Sequence, residues 1–76
     1  MNDNKCLLQL LNNRRLTTIQ VADILDYTYA QATLRIKNSD FSIVEARIVA
    51  KHMNIPLEDF ADILDGDKEV LKKYLL

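Results

Sequence analysis

Three helix starts crowd into residues 17 to 45 of this chain. Thr17-Thr18-Ile19-Gln20, Thr28-Tyr29-Ala30-Gln31 and Ser42-Ile43-Val44-Glu45 all read as capping boxes. In each, a hydroxyl accepts a hydrogen bond from the amide three residues on, and a Gln or Glu reaches back to the amide of the capping residue. Thr17 and Thr28 are eleven residues apart, which leaves room for a helix of about two turns, a turn of about three residues and a second helix. The capping boxes therefore fix where these helices begin and how short the connection between them must be.

The hydrophobic spacing extends this pattern over the rest of the chain. A first helix is expected from Asp3 to Asn13, burying Cys6, Leu7, Leu10 and Leu11, with Leu8 beside them. The second runs from cap Thr17 to about Leu25, with Leu16 and Val21 as a hydrophobic staple and Val21, Ala22 and Leu25 inward. Asp26 then occupies the turn, in a left-handed conformation that Asp tolerates better than most residues. A third helix is expected from Thr28 to about Lys37, with Ala32 and Ile36 inward. A fourth is expected from Ser42 to about Met53, stapled by Phe41 and Ala46 and carrying the stripe Ile43, Ala46, Val49, Ala50 and Met53. Pro56 opens a fifth helix over Leu57 to Leu64, with Phe60, Ile63 and Leu64 inward and Gly66 ending it. Asp67 caps a last short helix to Tyr74, whose Val70, Leu71, Tyr74 and Leu75 are expected to pack on the body. The expected fold is an all-α bundle of five helices, with this sixth short one at 67–76, in a single domain over 1–76.

With 49% hydrophobic and 28% charged residues, the chain has the composition of an ordinary globular domain. No apolar run approaches the ~18 residues that span a bilayer, and the N-terminus lacks a signal-peptide pattern. The expected location is the cytoplasm, here of a bacterial host cell. The net charge of −1 is unevenly spread. Residues 1–55 carry seven cations and five acids, and residues 56–76 carry three cations and six acids. The segment with the twin capping boxes is thus mildly basic and the tail acidic.

A helix, a tight turn and a second helix form a helix-turn-helix, whose second helix commonly enters a DNA major groove. From Leu16 to Phe60 the chain resembles the phage Cro and repressor proteins. Leu16-Thr17 matches the opening of helix two in that family, Ala22 its small residue, Leu25-Asp26-Tyr27-Thr28 its turn, and Ala32 and Ile36 its apolar anchors. Glu45-Ala46, Ile48, Ala50, Ile55-Pro56-Leu57 and Asp59-Phe60 follow the cadence of its later helices. Asp26 departs from the family pattern by replacing the usual turn Gly, at about 1 kcal/mol of backbone strain. The resemblance implies a lambda-repressor-like bundle that binds double-stranded operator DNA, usually as a homodimer, and controls transcription.

Matched to that family, Tyr29, Ala30, Thr33 and Leu34 fall where base contacts are expected, and Gln31 on the flank of that face is a further base-contact candidate. Gln31 can pair with adenine, Thr33 can bond several base edges, and Ala30 and Leu34 can meet a thymine methyl. Backbone contacts are expected from Arg14, Arg15, Thr17, Thr18, Thr28, Arg35, Lys37, Asn38 and Ser39, at helix N-termini and as nearby cations and polar groups. These cations predict a shallow salt dependence, on the order of −3 to −4 in log–log terms per subunit. Self-association would draw on the C-terminal segment, which makes Val70, Leu71, Tyr74 and Leu75 the dimer candidates. An alternative is an antirepressor that keeps the fold and binds a repressor protein through the same apolar outward pair, Ala30 and Leu34.

Other chemistry finds little support. Cys6 is single and sits among leucines, and His52 has no second His or Cys pair to bind metal with. The acidic residues from Glu58 to Glu69 lack the alternating ligands and central Gly of a calcium loop. There is no Gly-rich phosphate loop and no paired nucleophile and base. Neither a cofactor, a metal nor an enzymatic activity is expected.

Overall fold

In the computed structural model, which describes residues 4–75, the stripe Cys6, Leu7, Leu10 and Leu11 organises α1, Lys5–Asn13, and all four residues are buried. Leu8 points off this stripe and is exposed. Asp3, the expected start, lies outside the described residues. Asn4 stands at the N-cap without a side-chain cap bond; its Nδ2 instead donates to the Ile36 carbonyl at 3.3 Å.

The next three helices start at the three capping boxes. α2 spans Thr18–Leu25, α3 Tyr29–Asn38 and α4 Ile43–His52. In each box both reciprocal bonds form, with the capping amides of Thr17 and Thr28 each donating to Gln Oε1 at 2.9 Å and that of Ser42 to Glu45 Oε1 at 2.8 Å. α5, Leu57–Leu64, follows Pro56, and α6, Lys68–Lys72, is capped by Asp67, whose carboxylate accepts from the Glu69 and Val70 amides. α6 is thus shorter than expected. Beyond it a turn bond from the Tyr74 amide to the Leu71 carbonyl continues the chain to Tyr74. Among the described residues all regular structure is helical.

The helix ends share one device. After each of the first five helices a residue takes a left-handed φ: Arg15 at 56°, Asp26 at 58°, Ser39 at 51°, Asn54 at 59° and Gly66 at 92°. The amide of the next residue then reaches five residues back, as in Leu16 to Leu11, Tyr27 to Ala22, Asp40 to Arg35, Ile55 to Ala50 and Asp67 to Asp62. This is the Schellman motif, which satisfies carbonyls at the helix end. Glycine adopts this conformation without strain, yet it occupies one of the five positions.

α2 packs on α3 and α4, α4 on α5, and α1 closes the bundle against α5 and α6. Phe60 is fully buried, as are Leu7, Leu10, Ile63, Val21 and Val49. Phe41 meets the Phe60 ring edge-on at 6.0 Å between centroids. The radius of gyration, 11.1 Å, is close to the ~11.4 Å expected for a domain this long.

Three expectations change, for Ile43, Leu71 and Leu64. The apolar period places Ile43 on the inward stripe of α4, but it is 70% exposed, while Ala46, Val49, Ala50 and Met53 are buried. It sits in the first turn, beyond the part of α4 that the core covers, and Phe41 just before the helix packs on Phe60 instead. The C-terminal stripe packs on the body. Leu71 is in the core, and Val70, Tyr74 and Leu75 are half-buried against it. Leu71 is therefore withdrawn from the dimer candidates, because it has no surface left to offer. Leu64 is half-buried rather than fully inward.

Candidate nucleic-acid interface

The α2–turn–α3 unit depends on small buried side chains. Ala22 and Ala32 let the helices approach, and Ile36 anchors the far end of α3; all three are buried. Residues 26–28 make the connection, with Asp26 left-handed and Thr28 already capping α3. Burying Ala32 and Ile36 turns the opposite face of α3 outward. Tyr29 is 61% and Leu34 53% exposed, and Ala30, Gln31, Lys37 and Asn38 are exposed as well.

The N-termini of α2 and α3 both end at the surface, where Thr17 and Thr28 are exposed and Thr18 is half-buried. The boxes occupy the capping and third amides and leave the first-turn amides, which no helix carbonyl can reach, for an outside acceptor.

Several expected contact residues are otherwise engaged. The Thr33 hydroxyl donates to the Tyr29 carbonyl at 2.8 Å, so a base edge must compete with the helix backbone for it. Gln31 Oε1 is held by its capping bond, which leaves its amide nitrogen as the group to offer. Ser39 is 8% exposed and its hydroxyl donates to the Leu64 carbonyl at 3.0 Å. It fastens the end of α3 to α5 and is corrected from a phosphate contact to a structural one.

Arg35 is partly engaged as well. Its Nε donates to both carboxylate oxygens of Glu45, at 3.1 and 3.2 Å, and its guanidinium lies 5.7 Å from the Tyr27 ring centroid. The Tyr27 hydroxyl donates to Glu45 as well. Glu45 also accepts from the Ser42 amide in its own capping box. One buried carboxylate thus ties the turn, α3 and the start of α4 together. Sequence reading found Glu45 only as a capping residue, since its partners lie ten and eighteen positions away.

Burial alone would raise the pKa of Glu45. The hydrogen bonds from Tyr27, the Ser42 backbone and Arg35, with the Arg35 charge, outweigh it and hold the carboxyl below its usual range. The hydrogen bond to Glu45, with burial, raises the Tyr27 phenol, and the same carboxylate raises Arg35.

Of the remaining cations, Lys37 and Arg15 are exposed. Arg14 lies with its guanidinium 5.8 Å from the Tyr74 ring centroid and lines a small pocket with Leu16, His52 and Met53. Acids interrupt the surface at Asp23, Asp26 and Asp40, all exposed. Among the described residues no group of three His, Cys, Asp or Glu side chains could hold a metal ion, and no helix is long and apolar enough to cross a membrane. No protein-family model, curated protein or solved structure matches the chain.

Proposed function

We propose that the chain is a sequence-specific DNA-binding regulator of transcription, of the kind the phage Cro and repressor proteins represent, and that it presents α3 to an operator major groove. The observation that carries this reading is the outward face of α3. It is held rigidly by the buried contacts of Ala22, Ala32 and Ile36, is exposed from Tyr29 to Lys37, and is flanked by the N-termini of α2 and α3. Gln31 offers its amide nitrogen to a base edge, and Ala30 and Leu34 offer apolar contact to a thymine methyl. The first-turn amides with Thr17, Thr18 and Thr28, together with Lys37, Arg15 and Asn38, suit the phosphates on either side.

With Arg35 locked to Glu45, three cations remain for the backbone: Arg14, Arg15 and Lys37. Each phosphate neutralised contributes about −0.9 to the log–log salt slope, so a slope of roughly −3 per subunit is expected. A mobility-shift titration against the intergenic DNA beside its own gene, at two salt concentrations, tests this. The expected result is a complex that weakens with salt along that slope and survives nonspecific competitor.

One observation favours a second reading. Tyr29 and Leu34 are large, apolar and more than half exposed, an arrangement that also suits docking on a protein. No shift at either salt concentration, together with a stable complex with a neighbouring repressor, would replace DNA binding by an antirepressor role.

A further inference from the structure

The outward face of α3 carries little that can select a base by hydrogen bonding. When a helix lies in a major groove, its N-terminal half is the part that meets base edges. In α3 that half runs from Tyr29 to Leu34. It contains no Arg or Lys for guanine and no carboxylate to accept from the cytosine amino group. Of the cations in α3, Lys37 lies in the last turn, and Arg35 is turned to Glu45 through its Nε.

The polar groups of that half discriminate poorly. Gln31 singles out adenine only when its oxygen and its nitrogen both reach the base. Its Oε1 accepts from the Thr28 amide at 2.9 Å and from the Thr28 hydroxyl at 3.3 Å, which occupies both lone pairs. The nitrogen alone can donate equally to N7 of either purine, to O6 of guanine or to O4 of thymine. The Thr33 hydroxyl gives its hydrogen to the Tyr29 carbonyl at 2.8 Å. The Tyr29 hydroxyl both donates and accepts, so it suits any base pair.

The apolar side chains are more selective. Leu34 is 53% exposed, and Ala30, one turn before it, is exposed too. At i and i+4 the two lie about 6 Å apart along the helix, close to the ~6.8 Å rise of two base pairs. In the major groove an apolar side chain finds one apolar partner, the C5 methyl group of a pyrimidine. Thymine carries that methyl, and so does 5-methylcytosine.

We infer that α3 selects its operator by C5 methyl groups, read by Ala30 and Leu34 at two pyrimidines about two base pairs apart in a half-site. 5-Methylcytosine can stand for thymine at both positions, and no guanine is required. The inference rests on the proposed docking of α3 in a major groove and names what that surface reads there. Each methyl contact is worth about 4-fold in affinity, and the two together about 15-fold.

Selection of bound duplexes from a random library with the full chain, followed by base replacement in the selected site, tests it. Two thymines are expected at that spacing. Uracil lacks only the methyl, and at either position it should weaken binding about 4-fold, at both about 15-fold. Cytosine in place of either thymine should weaken binding at least as much, and 5-methylcytosine should recover about 4-fold of the loss. Leu34→Ser, at an exposed position, should leave the thermal melt nearly unchanged and make one of the two thymines indifferent to uracil. A salt-sensitive complex that tolerates uracil at every thymine overturns methyl readout and leaves DNA binding standing. So does a selected site whose indispensable base is guanine. Unchanged uracil sensitivity in Leu34→Ser overturns the assignment to Leu34. A chain that selects no duplex and forms no salt-sensitive complex with DNA overturns the proposed function itself, and methyl readout falls with it.

Discussion

Two parts of the molecule use the same three side-chain types to different ends. At the α2–α3 turn, Tyr27 and Arg35 converge on Glu45; at the C-terminal end, the Tyr74 hydroxyl donates to Asp59 while Arg14 lies over the Tyr74 ring. In the first, the arginine bonds both carboxylate oxygens and the carboxylate is buried. In the second, the arginine touches the ring and the acid is half-buried. The difference lies in what each acid holds. Glu45 is fixed by its own capping box and ties three elements together, so its position sets the attitude of α3. Asp59 holds a short tail against the body. A tyrosine, an acid and an arginine thus form a positioning device in one place and a clasp in the other, according to burial and to the number of elements joined.

The largest effect should separate the two clusters by stability. Glu45→Ala removes the ion pair, the acceptor for a half-buried phenol and one arm of a capping box. It is expected to destabilise the domain by about 2–3 kcal/mol, against about 0.5–1 kcal/mol for Asp59→Ala. At 4–8 °C per kcal/mol for a domain of this size, the melting temperatures should differ clearly. Equal losses for the two variants would show that the Glu45 cluster has no special structural weight.

The Glu45 cluster also gives stability a pH dependence. The folded pKa of Glu45 is lowered, so its contribution to stability is fully present above the unfolded value of about 4.3 and is lost as pH falls through the lower folded value. Glu45→Gln should therefore lose less stability than the wild type between about pH 5 and pH 2, so the gap between the two narrows in acid. Denaturant melts at several pH values measure this. Parallel curves for Glu45→Gln and the wild type would remove the charge from the account of this cluster.

The helix ends offer a finer comparison, between residues 26 and 66. Both are left-handed and both precede a capping residue by one or two positions, yet one is Asp and the other Gly. Asp26→Gly should stabilise by about 0.5–1 kcal/mol, since the αL strain is relieved, although the added freedom of the unfolded chain offsets part of the gain. Arg15→Gly and Ser39→Gly should follow the same trend, with the Ser39 gain reduced by its lost bond to Leu64. Gly66→Ala should destabilise by about 1 kcal/mol through strain alone, because an added Cβ would meet nothing within 4 Å. If Asp26→Gly left stability unchanged, the Asp side chain would have to be compensating for the backbone.

These contrasts mark what a single sequence carries. The starts of α2, α3 and α4 were legible at Thr17, Thr28 and Ser42 because a capping box is closed within four residues. So were the buried faces that follow them, including Ala22, Ala32 and Ile36. Asp26 was legible as a left-handed position only because it stands between two boxes. Arg15, Ser39 and Asn54 adopt the same conformation but carry no glycine to signal it. Ser39 and Arg35 read as phosphate contacts because each looks exposed when only its helix is considered. Their partners, the Leu64 carbonyl and the Glu45 carboxylate, come from elements that sequence proximity does not reveal. Ile43 fits the apolar period of α4, but periodicity does not say where the core ends along the helix axis. The outward residues of α3 followed from the inward pair, whereas the back-bond that occupies Thr33 depends on a rotamer.

The smallest effect distinguishes a cation that holds the fold from one left for a ligand. Lys37 is exposed at the end of α3, while Arg35, two residues earlier, is bonded to Glu45. If α3 lies in a major groove, Lys37→Ala should weaken binding to all DNA sequences alike and reduce the salt slope by about 0.9, with little change in the thermal melt. Arg35→Ala should do the reverse, lowering the melting temperature while leaving the slope nearly unchanged at temperatures where the variant is folded. Arg14→Ala gives the intermediate case, since its guanidinium sits over Tyr74 yet stays exposed. A change in its salt slope would assign it to the DNA, and a change confined to stability would assign it to the C-terminal clasp. Mobility-shift titrations across a range of salt, paired with melts of the same proteins, supply both readings. A slope that falls with Arg35→Ala and holds with Lys37→Ala would mean that the Glu45 pair opens on DNA, and the distinction between the positioning cluster and the DNA-facing surface would have to be redrawn.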